Sequence, residues 1–90
     1  MEITVRPAAG GWVCEVAVEH EGALSRHTVA VSASDLRRWG RGEDRAAVED
    51  LVRRSFDFLL EREPASSILR RFDLSVIGSY FPDYDQQLRP

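Results

Sequence analysis

The chain has 90 residues, a length that suits one compact domain and leaves no room for a second. Its hydrophobic fraction of 43% and charged fraction of 30% exclude the low-hydrophobicity, high-charge regime of disordered chains. A formal charge of −3 argues against broad electrostatic capture of a polyanion, and no apolar run nears the roughly 20 residues that cross a bilayer.

Residues 2–6 and 12–20 alternate with a period of two. Ile3 and Val5 share one face, as do Trp12, Cys14, Val16 and Val18, with Glu15 and Glu19 opposite, the pattern of half-buried strands. Pro7, Gly10 and Gly11 supply a turn between them. Glu21-Gly22-Ala23 signals the next turn, and residues 24–31 alternate with His27, Val29 and Val31 on one side. Placing His20 opposite Ser25 sets Val18 against His27, Val16 against Val29 and Cys14 against Val31. A slip of one residue would send every valine to the wrong face. The expectation is a three-stranded antiparallel meander with one dry and one wet face.

The period then changes. Ser32 and Asp35 have the form of a capping box ahead of a short helix over 34–39 that carries Leu36 and Trp39. Gly40 is expected to end it in the left-handed conformation. Asp44 is a candidate N-cap for a long helix over 44–62, whose stripe runs through Ala47/Val48, Leu51/Val52, Ser55/Phe56 and Leu59/Leu60. Its wet face pairs Glu49 with Arg53, Asp50 with Arg54 and Arg53 with Asp57 at i,i+4. Pro64 closes it. Ser66 or Ser67 can cap a helix over 67–72 bearing Ile68, Leu69 and Phe72, and Asp73 another over 74–81 that Pro82 stops. Strands followed by helices imply an α+β domain over 1–82, the long helix covering the dry face, and residues 83–90 read as a polar tail.

Few residues offer chemistry. Cys14, His20 and His27 are the only soft ligands or imidazole groups. Cys14 and His20 share a strand face but lie about 20 Å apart at ~3.3 Å per residue, too far to hold one ion. The Cys14 thiol sits among apolar neighbours without a basic group to activate it. The carboxylates fall mainly on wet faces, and no phosphate loop, nucleophile elbow or zinc signature is present. No catalytic residue, metal site or cofactor is expected. All twelve basic residues are arginine, which excludes lysine chemistry and fits a GC-rich genome. With a single cysteine and no signal-peptide pattern after Met1, a cytoplasmic setting is expected.

Two segments suggest binding instead. Residues 67–82 have the outline of a helix-turn-helix, with Arg70 and Arg71 as candidate phosphate contacts, although the second helix offers Ser75, Gly78 and Ser79 to a groove. Tyr80, Phe81 and Tyr84 form an aromatic cluster that, with Trp39, is a candidate partner-binding surface.

The run Ser55-Phe-Asp-Phe-Leu-Leu-Glu-Arg-Glu-Pro64, followed by Ser67-Ile-Leu69, Phe72-Asp-Leu74 and Tyr80-Phe-Pro82, resembles a stretch shared by a group of short uncharacterised bacterial proteins. That resemblance covers the C-terminal third to half; it implies a bacterial, cytoplasmic origin and carries no functional residue across. The strand order is also similar in topology to HicB-like antitoxins and double-stranded RNA-binding modules. The chain departs from the former by lacking an evident strand after the helix, and from the latter by lacking a leading helix and a basic helix start. The expected role is a noncatalytic protein-interaction or regulatory module, through a partner or a homodimer at an exposed sheet edge. A DNA-binding regulator is the alternative.

Overall fold

The computed structural model describes residues 1–90. Strands β1 (Glu2–Ala8), β2 (Gly11–His20) and β3 (Ala23–Ser32) are followed by helices α1 (Ala33–Trp39) and α2 (Arg45–Leu60). A short strand β4 (Arg71–Asp73) and two brief helices, α3 (Ile77–Tyr80) and α4 (Tyr84–Leu88), complete the chain. The sheet order is β1-β2-β3-β4, antiparallel through β3, with β4 parallel to β3.

The alternation read from the sequence holds: Val5, Cys14, Val16, Val18, His27, Val29 and Val31 all point into the core. The β2–β3 register differs from the expected one by two residues, with Val18 opposite Ser25, Val16 opposite His27 and Cys14 opposite Val29. A shift of two keeps every side chain on its face, so parity alone cannot detect it. Turn length decides it. His20 pairs directly with Ala23 across Glu21 and Gly22, whose φ values of 52° and 81° fit the twisted two-residue hairpin turn.

The N-caps expected at Ser32 and Asp44 form, whereas Ser66 and Ser67 lie inside a 3-10 turn and Asp73 makes no side-chain cap bond. Ser32 and Asp35 bond reciprocally at 2.9 and 3.0 Å, and the Asp44 carboxylate accepts from Ala47 N–H. Gly40 is extended rather than left-handed, at φ −79°. Its lack of a side chain serves close approach instead, since a Cβ there would lie 2.5 Å from Leu36 Cδ1. On α2 the stripe through Val48, Leu51, Val52, Ser55, Phe56 and Leu59 is buried on the sheet. Burying side chains of this size stabilises by roughly 1.5–3 kcal/mol each.

Beyond α2 the structure departs from the expected one. Residues 67–72 are not helical: Ala65–Ser67 make a single 3-10 turn, and Arg71–Asp73 form β4 on the exposed flank of β3. The spacing of Ile68, Leu69 and Phe72 fits a helix, but pairing with β3 satisfies the backbone and buries Phe72 beside Phe56, their rings 6.2 Å apart. The helix expected over 74–81 appears as a 3-10 turn, Leu74–Val76, running into α3.

The segment expected as a polar tail is instead part of the core. Tyr84 is fully buried and Leu88, four residues on, is buried beside it. The Tyr84 ring lies edge-on to Trp39 and Phe58, with centroids 5.1 and 5.3 Å away. Arginines fasten its backbone and flanks. Arg54, read from the sequence as a wet-face partner of Asp50, bonds Asp50 and also caps the carbonyls of Trp39 and Leu88. Arg62 bonds Asp83 at 2.8 Å and lies over the Phe58 ring.

Candidate functional site

An apolar concavity lies where the C-terminal end of α2 meets the 65–70 segment and α3. Leu59, Ile68, Phe72 and Ile77 form its floor, while Leu69, Tyr80 and Phe81 form the rim. The cavity measures about 280 Å³, and eight of its ten lining residues are hydrophobic. Two of those apolar rim side chains stand in water: Leu69 is 47% exposed and Tyr80 66%. Small-molecule pockets span roughly 300–1,000 Å³, so this groove is sized for a few side chains of a polypeptide. A second concavity, about 340 Å³, lies at the Gly10–Gly11 turn. It is half polar, and its carboxylate Asp35 is already used in the α1 cap.

The groove wall is held by a buried histidine. His27 Nδ1 lies 2.8 Å from the carbonyl of Leu69, which can only accept, so Nδ1 carries the proton. Nε2 is then the acceptor for the Ser25 hydroxyl at 2.9 Å. The imidazole thus ties β3 to the groove rim 42 residues away, and both its nitrogens are committed. Neighbouring Thr28 reinforces the tie, its N–H donating to Arg70 C=O at 2.7 Å.

The aromatic residues singled out from the sequence separate into two groups. Tyr80 and Phe81 line the groove. Tyr84 and Trp39 are interior residues that hold α4 against α1 and α2, so neither can meet a partner directly. The Trp39 indole N–H donates to Asp85 at 2.9 Å. The Ser55 hydroxyl donates to Leu51 C=O at 2.8 Å, which makes the Tyr84 phenol the donor in the 2.8 Å bond to Ser55. Burial pushes the Tyr84 phenol up to about 12.

Arg70 and Arg71 flank the groove on and beside β4, exposed, and not on a helix. The geometry of a helix-turn-helix is therefore missing from residues 67–82. Cys14 is buried at the centre of the sheet, its thiol pushed up to about 11 by burial and by Glu15 beside it, the opposite of an activated nucleophile. His20 is exposed at the β2–β3 turn while His27 is buried and bonded as above. Sequence reading missed the walls of the groove, Leu59, Ile68, Leu69 and Phe72. The spacing of Ile68, Leu69 and Phe72 fits one helical face, so nothing local marked Leu69 as a residue left in water.

No family model, curated protein or solved structure matches this chain.

Proposed function

We propose that the protein is a noncatalytic interaction module whose groove between α2, the 65–70 segment and α3 takes apolar side chains of a partner polypeptide. The observation that carries this reading is the groove itself, with Leu69 and Tyr80 held in water by a framework of buried anchors. Solvent-exposed aromatic and aliphatic side chains on such a rim are the usual anchors of protein association.

Charge selects the kind of segment. Arg70, Arg71 and Arg26 are exposed and form no ion pair, while Arg26 sits on the same sheet face as Thr28, which pairs with Arg71. The complementary partner is a short extended segment that alternates apolar and acidic residues. Lying beside β4, it would direct alternate side chains into the groove and over Arg71, as strand-addition ligands do. The imidazole of His27 and the thiol of Cys14 are spoken for by structure, which favours binding over chemistry at this site.

Selection from a displayed library of 12-residue peptides tests the reading. The expected binders are apolar-acidic segments whose NMR shift changes cluster on Leu69, Tyr80 and Phe81. Tyr80→Ala and Leu69→Ser should each weaken them about tenfold, the effect of removing ~1.4 kcal/mol of contact. Selected peptides that map elsewhere, or that ignore both substitutions, would rule the groove out.

A further inference from the structure

The free edge at the other end of the sheet is self-complementary, and we infer that two copies of the chain pair through β1, antiparallel about a two-fold axis at Thr4. The argument begins with which backbone groups point outward. Thr28 N–H bonds across to Arg70, so even-numbered residues of β3 face β4 and odd-numbered ones face β2. The register then passes this alternation on. Val16, opposite His27, bonds β3; Glu15 bonds β1; and Thr4, opposite Glu15, faces β2. Ile3, Val5 and Pro7 therefore turn their backbone groups away from the sheet. No other segment of the chain bonds the outward groups of Ile3 or Val5.

Pro7 has no N–H to give in that outward row, and this restricts how a second copy can add. Centring the pair on Val5 would set Ile3 against Pro7 and lose a bond at each end. Centring it on Thr4 sets Ile3 against Val5 of the other copy twice over, and each such pair can exchange both its N–H and its C=O. The same register also matches the side chains. Glu2, Thr4 and Arg6 lie on the outer face of β1, all exposed. About Thr4 they become two Glu2–Arg6 pairs flanking a threonine–threonine contact, each opposite-charge pair on the close-spaced, non-bonded positions of the ladder. Glu2 forms no ion pair within the chain, and Arg6 bonds only Glu15, at 3.2 Å and well exposed. On the inner face the half-buried Ile3 meets Val5 of the partner copy. The result is a continuous sheet through both copies, with both α2 helices on one side.

Light scattering and sedimentation across a concentration series should show the wild-type chain approaching twice its 10.2 kDa mass. Glu2→Arg and Arg6→Glu each place like charges opposite each other, and each variant alone should stay monomeric where the wild type is dimeric. An equimolar mixture of the two restores opposite charges at both ends of the ladder, so the dimer should return in the mixture only. Ile3→Pro removes an outward N–H without touching the ladder to β2; it should abolish pairing while leaving the far-ultraviolet circular dichroism unchanged. A wild-type chain that stays monomeric up to about millimolar concentration overturns the inference. So does a dimer indifferent to the charge variants, or a mixture that fails to reassociate. The groove lies at the opposite side of the sheet, so peptide binding there survives either outcome.

Discussion

Replacing Tyr84 by alanine removes a fully buried ring from between Trp39 and Phe58, together with the hydroxyl that bonds Ser55. Truncating a buried aromatic to alanine costs about 3–5 kcal/mol, a large fraction of the roughly 5–15 kcal/mol that holds a small domain folded. Tyr84→Phe keeps the ring contacts. Ser55 still donates to Leu51, so only one neutral hydrogen bond is lost, worth about 0.5–1.5 kcal/mol. In urea, with a slope of about 1–2 kcal/mol/M for a chain of this size, the alanine midpoint should fall by ~1.5 M or more and the phenylalanine midpoint by ~1.5 M at most, several-fold less than alanine at any one slope. Unfolding followed by tryptophan fluorescence reads this out, since Trp39 touches the altered ring. An alanine variant within about 0.3 M of the wild-type midpoint, well short of the ~1.5 M expected, would show that α4 is no part of the core.

Other expectations follow from the same anchors. His27→Phe keeps the aromatic packing on Phe56 but leaves the Leu69 carbonyl without its donor; it should cost about 1–3 kcal/mol and speed amide exchange in residues 68–71. Arg54→Met, which preserves the stem, strips the partners from the Trp39 and Leu88 carbonyls, and should lower the thermal midpoint more than Arg53→Met does. Asp85 is held down to about 2, chiefly by its bond to Arg89 and further by Trp39 and Arg38. Its folded value lies below the unfolded 3.8, so its contribution is present above that pH and fades as pH falls through about 2. The stability gap between wild type and Asp85→Asn should close over that interval. Tyr84 has the opposite sign. Its phenol is raised from 10.0 to about 12, so its share of stability, roughly 2–3 kcal/mol for such a shift, should drain away between pH 10 and 12. Tyr84→Phe should flatten the alkaline unfolding curve there.

The first half of the chain was readable because burial and period coincide: valines at alternate positions of β2 and β3 face one way, and α2 carries its stripe at helical spacing. Capping at Ser32 and Asp44 was equally legible, being local chemistry within four residues. The β2–β3 register was not, because parity is blind to a shift of two and Glu21 is an unusual residue at positive φ. β4 was hidden for a different reason. Three residues, Arg71-Phe72-Asp73, carry no periodicity, and their pairing with Thr28, Val29 and Ala30 is a long-range contact that overrides the local helical spacing of Ile68, Leu69 and Phe72. Tyr84 and Leu88 are spaced four apart, as on one helical face, but stand among the charged and amide residues that make 83–90 read as a polar tail. The candidate groove depended on β4, so it could not be assembled from the sequence even though Tyr80 and Phe81 were noticed.

Tyr80 hangs between two interior moorings, Ile77 on one side and Tyr84 on the other. A partner that seizes its ring pulls on the same rivets that keep the last helix seated, so occupancy and resistance to unfolding must rise together. A ligand present at a hundred times its dissociation constant would add about 2.7 kcal/mol. Melting temperature thereby becomes a gauge of whether the groove is filled, even for a partner that has yet to be identified.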